Sequence, residues 1–114
     1  MSEKNVATAH RFTDAILSGD YEAAATELDP EFEIDDTDIL ESTAADSLTT
    51  WMGRWDEIWE SWRVEDLEIK AVGEERTISF FTMIAKGRAS GIELRRPDAI
   101  VTEYRDGKLL RLGY

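Results

Sequence analysis

The order of hydrophobic and polar residues predicts two helices at the start of the chain. Over residues 6–17, apolar side chains recur every three or four positions, as they do on the buried face of a helix. Gly19 supplies the stop signal for this helix, and Asp20 can cap a short second helix over residues 21–28. Pro30 disfavours helix at the residue before it, so the chain should leave in an extended conformation.

A third helix is predicted over residues 47–59, after a loop over residues 36–45 that is rich in Asp, Ser and Thr. Trp51, Trp55 and Trp59 are spaced four apart and would form one aromatic face. Such large rings must bury much of their area, but each indole N–H needs a partner when it is buried. The stripe therefore indicates either packing against a sheet or the wall of a ligand cavity.

The first predicted strand, residues 32–35, alternates between two faces. Phe32 and Ile34 share one face, and Asp36, directly after the strand, has the same parity. A carboxylate at the end of a buried face is placed as a pocket acid or base would be, since an apolar cavity favours proton transfer. The alternative is an exposed loop aspartate that helps to start a turn.

Four more strands are predicted, over residues 63–72, 77–86, 92–104 and 109–114. In the second of these, Phe80 lies on one side while Phe81 and Met83 lie on the other, a two-sided apolarity typical of a central strand. We assign Phe80 to the interior and the Phe81 side to the outer face, where its apolar residues predict a homodimer. Helices followed by antiparallel strands predict an α+β domain with the helices on one face of the sheet.

Arg96 and Asp98 share the strand parity of Ile100, so both should face inward if the strand is regular. They could then form an ion pair, or an acid–base pair with Asp36. Pro97, however, predicts a bend or a bulge, and a shift of one residue moves every side chain to the opposite face. A solvent-exposed pair at a sheet bend is the alternative.

The composition limits the classes of function. A chain of 114 residues with 42% hydrophobic residues fits one domain, residues 1–114, with one core. Its net charge of −12 would repel nucleic acid and anionic lipid, and no run is long enough to span a membrane. The acidity indicates either a solvated surface or a cationic partner. Without cysteine or a signal peptide, the chain is predicted to be cytoplasmic.

No metal or cofactor site is predicted. His10 is the only histidine and lies at the margin of the first helix's apolar face, so no triad or multi-histidine site can be built on it. The acidic residues Asp35, Asp36, Asp38 and Glu41 lack the spacing of a calcium loop. A Gly-rich phosphate loop is also absent from the sequence.

Two stretches, "FTDAILSGDYEAAATELDPEFEI" and "YRDGKLLRLGY", carry a resemblance to a known family. Together with the order of elements they resemble the nuclear transport factor 2-like superfamily, and within it the SnoaL-like branch related to polyketide cyclases and ketosteroid isomerases. The resemblance implies a curved antiparallel sheet wrapped around three N-terminal helices, with a conical cavity inside.

The resemblance also implies roles for single residues. In ketosteroid isomerase-like members a carboxylate at the end of the first strand is the general base, and Asp36 lies there. A tyrosine on the first helix and an acid on the penultimate strand stabilise the oxyanion, but Phe12 and Ile100 stand at those positions here. Steroid-type isomerisation is therefore not expected.

The leading functional hypothesis is a cofactor-free acid–base enzyme that isomerises, cyclises or dehydrates an apolar, carbonyl-bearing molecule. Asp36 and Asp98 are the candidate catalytic residues. The candidate substrate-binding residues are Phe12, Ile16, Ile34, Trp51, Trp55, Trp59, Phe80 and Ile100. The alternatives are a non-catalytic module that binds a hydrophobic small molecule, and a structural dimerisation domain whose tryptophans fill the interior.

Overall fold

The computed structural model describes residues 2–35 and 44–113. The helices are α1 (Ser2–Leu17), α2 (Tyr21–Ala25) and α3 (Ala44–Ile58). The strands are β1 (Leu28–Asp35), β2 (Trp59–Val72), β3 (Arg76–Gly87), β4 (Glu93–Arg105) and β5 (Lys108–Gly113).

The five strands form one curved, unclosed sheet in the order β1-β5-β4-β3-β2. Strands β2 to β5 pair antiparallel, as predicted, whereas β1 joins the edge parallel to β5. Helix α1 packs against β2, β3 and β5, and α3 packs against β1 and β2. The α+β class is thus confirmed, and the parallel edge strand makes the sheet mixed.

The second helix is shorter than predicted. Asp20 caps it as expected, because its carboxylate accepts the backbone N–H of Ala23 at 3.1 Å. The helix ends at Ala25, and β1 already begins at Leu28, four residues before the predicted strand. Pro30 is tolerated inside β1 because an edge strand has a side that needs no ladder hydrogen bond.

An ion-pair cluster fastens β1 to β4 across the intervening β5. Arg105 donates from Nη2 to Asp29 Oδ1 at 2.6 Å and from Nε to Oδ2 at 3.1 Å. Its Nη2 also lies 3.2 Å from Glu31 Oε2, while the Glu31 N–H donates to Asp29 Oδ1 at 2.9 Å. The hydrogen bonds from Arg105 hold the pKa of Asp29 below its ordinary value of 3.8.

We expect Asp29→Asn to lower the melting temperature at pH 7 by several degrees. Because the folded-state pKa of Asp29 is lowered, its charge stabilises the fold above pH 3.8, and this contribution is lost as the pH falls below that value. Thermal melts should therefore show the wild type and the variant converging at acid pH. Asp14→Asn, on the exposed face of α1, is the control. A gap that persists unchanged in acid would contradict the prediction.

The third helix ends one residue before Trp59, which was predicted to lie on it. Arg88 donates to the Asp56 and Trp59 carbonyl oxygens at 2.9 and 3.2 Å, and its backbone N–H donates to the Ile58 carbonyl. These bonds satisfy carbonyls that a helix leaves free at its C-terminus. Trp59 instead begins β2, opposite Gly87 of β3.

The two faces of β3 are the reverse of the prediction. Phe81 and Met83 point toward the helices, whereas Phe80 lies on the outer face and is 44% exposed. Both faces carry large apolar residues, so alternation alone could not tell which one the helices cover. The residues that motivated the homodimer prediction are therefore interior residues.

The bulge predicted at Pro97 is absent, because β3 and β4 pair without a shift from Arg76–Glu103 to Lys86–Glu93. Within the described residues, β5 pairs with β4 only from Val101 onward, so Pro97 lies where β4 has one neighbour. Its missing N–H can face the unpaired side. The sheet register shifts at other places: twice in β2, one of these near Asp66, whose φ is 56°, once between Glu103 and Tyr104 of β4, and once in β1 before Glu33.

Candidate functional site

A cavity of about 100 Å³ lies between the helices and the inner face of the sheet. Helices α1 and α3 form one wall, and strands β2 to β5 form the other. Most of its lining is apolar, including Phe81 and Met83. Such a cavity, with few polar groups, suits a hydrophobic small molecule.

Five of the predicted substrate-binding residues line this cavity: Phe12, Ile16, Trp51, Trp55 and Ile100. The other three do not: Ile34, Trp59 and Phe80. Ile34 is buried in the core on β1, and Phe80 is on the outer face of β3. Trp59 is not on the helical wall, because α3 ends before it, and its ring packs against that of Trp55.

The tryptophans form a cluster centred on Trp55. Its ring centroid lies 6.5 Å from that of Trp51, 6.0 Å from Trp59 and 6.1 Å from Trp62, the last in an edge-to-face arrangement. Contacts of this kind stabilise aromatic pairs beyond the burial of their area. The indole nitrogens of Trp55 and Trp59 are buried and have no hydrogen-bond partner among the described residues. The cluster is thus both core packing and cavity wall.

Among the described residues, Asp98 is the only one that places a carboxylate on the cavity wall. One of its oxygens lies 3.2 Å from Arg96 Nη2, and the other accepts the Ala99 N–H at 2.9 Å. The Asp98 side chain is 20% exposed, against 50% for Arg96, so the carboxylate is the more enclosed partner. The inward orientation follows the predicted parity. Asp36, the other candidate acid or base, lies outside the described residues.

Four residues with hydroxyl groups on the cavity wall were not predicted as site residues: Thr13, Ser79, Thr102 and Tyr104. The Tyr104 hydroxyl lies 2.8 Å from Thr77 Oγ1. Burial raises the pKa of Tyr104, which keeps the phenol protonated and able to donate. Thr102 and Tyr104 share the strand parity of Ile100, so the alternation along this strand could have identified them as inward-facing residues. Ser79 was not predicted because the inner and outer faces of β3 had been assigned the wrong way round.

The described residues contain no group of three or more histidine and acidic side chains placed to hold a metal ion. His10 is exposed on α1. None of the helices in the described part of the chain has the length and apolar character that a membrane crossing requires.

The solved structures include many with the same fold. A "putative polyketide cyclase" from Xanthomonas campestris pv. campestris superposes with a TM-score of 0.84 at 14% identity, covering 99% of this chain and 91% of that one. An NTF2-like protein of unknown function from Burkholderia pseudomallei gives a TM-score of 0.79 at 16% identity, covering 96% and 88%. TerC, co-crystallised with polyporic acid, gives 0.78 at 15% identity, covering 96% and 88%.

No protein-family model matches the sequence, and a search of curated proteins finds no match. At these identities the likeness shows the fold alone. The chain has the fold of the nuclear transport factor 2-like superfamily, which confirms the fold class that the resemblance implied.

Proposed function

We propose that the chain is a SnoaL-like acid–base enzyme that acts on an apolar, carbonyl-bearing molecule in this cavity. The observation that carries the proposal is Asp98, a carboxylate on the wall of a mostly apolar, tryptophan-lined pocket. Fold alone does not determine function, so the proposal rests on this site. TerC, a protein of the same fold, was co-crystallised with polyporic acid, which supports a small-molecule ligand for this chain as well.

The surroundings of Asp98 suit proton transfer. Phe81 lies directly opposite on β3 and Ile100 follows on the same face, so the carboxylate borders apolar surface. Arg96 holds one carboxylate oxygen at 3.2 Å, which restricts the side chain. A fixed carboxylate beside an apolar cavity can accept a proton from a bound carbon acid with little solvent reorganisation.

The proposed first step is common to isomerisation, cyclisation and dehydration. The Asp98 carboxylate takes a proton from the carbon next to the substrate carbonyl, and the C–H electron pair moves into the carbonyl system to give an enolate. In an isomerisation, the Asp98 carboxyl then returns the proton to another carbon of that system, which restores the carboxylate. Asp36 remains a second candidate for the same role.

The test follows α-proton exchange and needs no knowledge of the natural substrate. 2-Tetralone, an apolar ketone with exchangeable α-hydrogens, is incubated with the protein in D₂O, and deuterium incorporation is followed by NMR. We expect exchange well above the buffer rate and proportional to protein concentration. Exchange no faster than in buffer, despite binding of the ketone, would reject catalysis and leave the binding module.

The binding module has an observation in its favour. Phe12 and Ile100 line the cavity at positions where the resemblance implies oxyanion donors, and neither side chain has a polar atom. Stabilisation of a developing oxyanion often lowers the barrier of such reactions more than any other single effect. A protein that binds the ketone without exchanging its protons would fit this lining.

We also propose a homodimer through the outer face of the sheet. Phe80 lies opposite Ala99, and Ile78 lies opposite Val101, so these residues form one apolar patch. Phe80 and Val101 are 44% and 38% exposed. An apolar patch of neighbouring residues on a sheet face suits a two-fold interface.

Phe80→Glu should therefore convert a dimer, with twice the 13.0 kDa mass of one chain, into a monomer. Burying an unpaired carboxylate in a symmetric interface is unfavourable, and the two-fold axis doubles the penalty. Size-exclusion chromatography with light scattering measures the mass. Ile92→Glu, at an exposed turn residue, is the matched control. A monomeric wild type would refute the dimer.

A further inference from the structure

Ser79 has a hydroxyl group that no described residue of the protein uses. Its side chain is on the cavity wall and the residue is only 9% exposed. Among the described residues, the hydroxyl forms no hydrogen bond, and its oxygen is not one of the fully enclosed polar atoms. Buried hydroxyls nearly always have a partner. An unpartnered one that opens into a cavity points to a polar atom of a ligand.

The sheet register brings Ser79 close to Asp98. Ser79 lies opposite Ile100 and Phe81 lies opposite Asp98, so Ser79 and Asp98 are diagonal neighbours on the inner face. Diagonal neighbours on adjacent antiparallel strands are about 7–8 Å apart, and their Cβ atoms are somewhat closer. One small functional group of a ligand fits between two such side chains.

This spacing matches the geometry of a ketone that loses an α-proton. A ketone whose carbonyl oxygen lies within about 3 Å of the Ser79 hydroxyl can place its α-carbon about 3–3.5 Å from the Asp98 carboxylate. The hydroxyl donor would then face the oxygen on which negative charge develops. The direct neighbours of the two groups, Phe81 and Ile100, are apolar and offer no competing partner.

We propose that the Ser79 hydroxyl binds the carbonyl oxygen of the ligand and, with Asp98, fixes which carbon of the substrate reacts. This inference rests on the proposed function, because it assumes a carbonyl-bearing ligand in the cavity. It assigns the oxygen-binding role to β3. Tyr104, another hydroxyl donor on the wall, already has Thr77 as a partner.

The test compares two probes that differ in one carbonyl group, 2-tetralone and tetralin, by isothermal titration calorimetry. Ser79→Ala should weaken 2-tetralone binding by about 2- to 12-fold, which corresponds to one hydrogen bond, and should leave tetralin binding unchanged. Ser61→Ala, which removes an exposed hydroxyl from β2, is the matched control and should change neither affinity.

Each outcome bears on one of the two proposals or on both. An equal loss for both probes would mean that Ser79 only shapes the wall, and this would overturn the carbonyl-binding role. No loss for either probe would overturn it as well. In both cases the cavity, and hence the proposed function, would stand. Failure of both probes to bind the wild type would overturn the proposed function and the role of Ser79 together.

Discussion

Asp98→Asn should slow deuterium exchange into 2-tetralone by about 10²- to 10⁴-fold, the range that a positioned general base contributes. The substitution preserves the size of the side chain, but an amide cannot accept the proton. Its oxygen can still accept a hydrogen bond from Arg96, which lies 3.2 Å from Asp98 in the wild type. Ketone binding should therefore change much less than the exchange rate.

Two variants complete the experiment. Asp14→Asn removes the same charge from the exposed face of α1, so its exchange rate should equal that of the wild type. Asp36→Asn tests the other candidate base. If exchange falls in Asp36→Asn and persists in Asp98→Asn, the base is Asp36 and Asp98 only lines the wall. If both single variants exchange at the wild-type rate, neither carboxylate is the base.

Leu109→Ala should lower the free energy of unfolding by about 2–5 kcal/mol, as truncation of a buried leucine usually does. Leu109 is 1% exposed and lies at a junction of the sheet. It pairs with Leu28 of β1 and with Tyr104 of β4, and its N–H donates to the Glu27 carbonyl at 2.9 Å. The space left by the missing methyl groups would join the ligand cavity, since Leu109 also forms part of its wall.

Urea denaturation measures this loss, and Leu110→Ala is the matched control. Leu110 follows Leu109 on the same strand but is only half-buried, so the identical truncation should cost clearly less. Equal losses for the two variants would show that the β1–β5–β4 junction is no more tightly packed than the flank of β5. A loss below about 1 kcal/mol for Leu109→Ala would contradict the packing described above.

Two local features, a helix cap and a hairpin turn, were predicted correctly from neighbouring residues. The carboxylate of Asp20 caps α2, as its position after a glycine indicated. The Asp-Gly pair at Asp106 and Gly107 separates the predicted strands over residues 92–104 and 109–114, which predicts a hairpin turn. The φ angles of these two residues, 53° and 77°, have the left-handed conformation that such a turn requires. Each of these features depends on residues that are adjacent in sequence, so no knowledge of the rest of the fold is needed.

Other features depend on partners that are distant in sequence. Arg88, in a turn about thirty residues further along the chain, donates hydrogen bonds to carbonyl oxygens where α3 ends. Trp59 therefore lies on a strand and not on the helix. The prediction that Asp98 faces inward depended on whether Pro97 interrupts the strand. Pairing with β3 keeps the register continuous through the proline. The hydrophobic periodicity of a segment contains no information about either of these two long-range contacts.

Residue order alone predicted the fold class, the apolar face of the first helix, half of the aromatic cavity lining and the parity that makes Asp98 a candidate. It could not predict which face of β3 is the interior one, and therefore misplaced Phe80 and missed Ser79. The physical reason is that alternation divides a strand into two faces without distinguishing them. When both faces are apolar, the layer that packs on one of them makes it the interior.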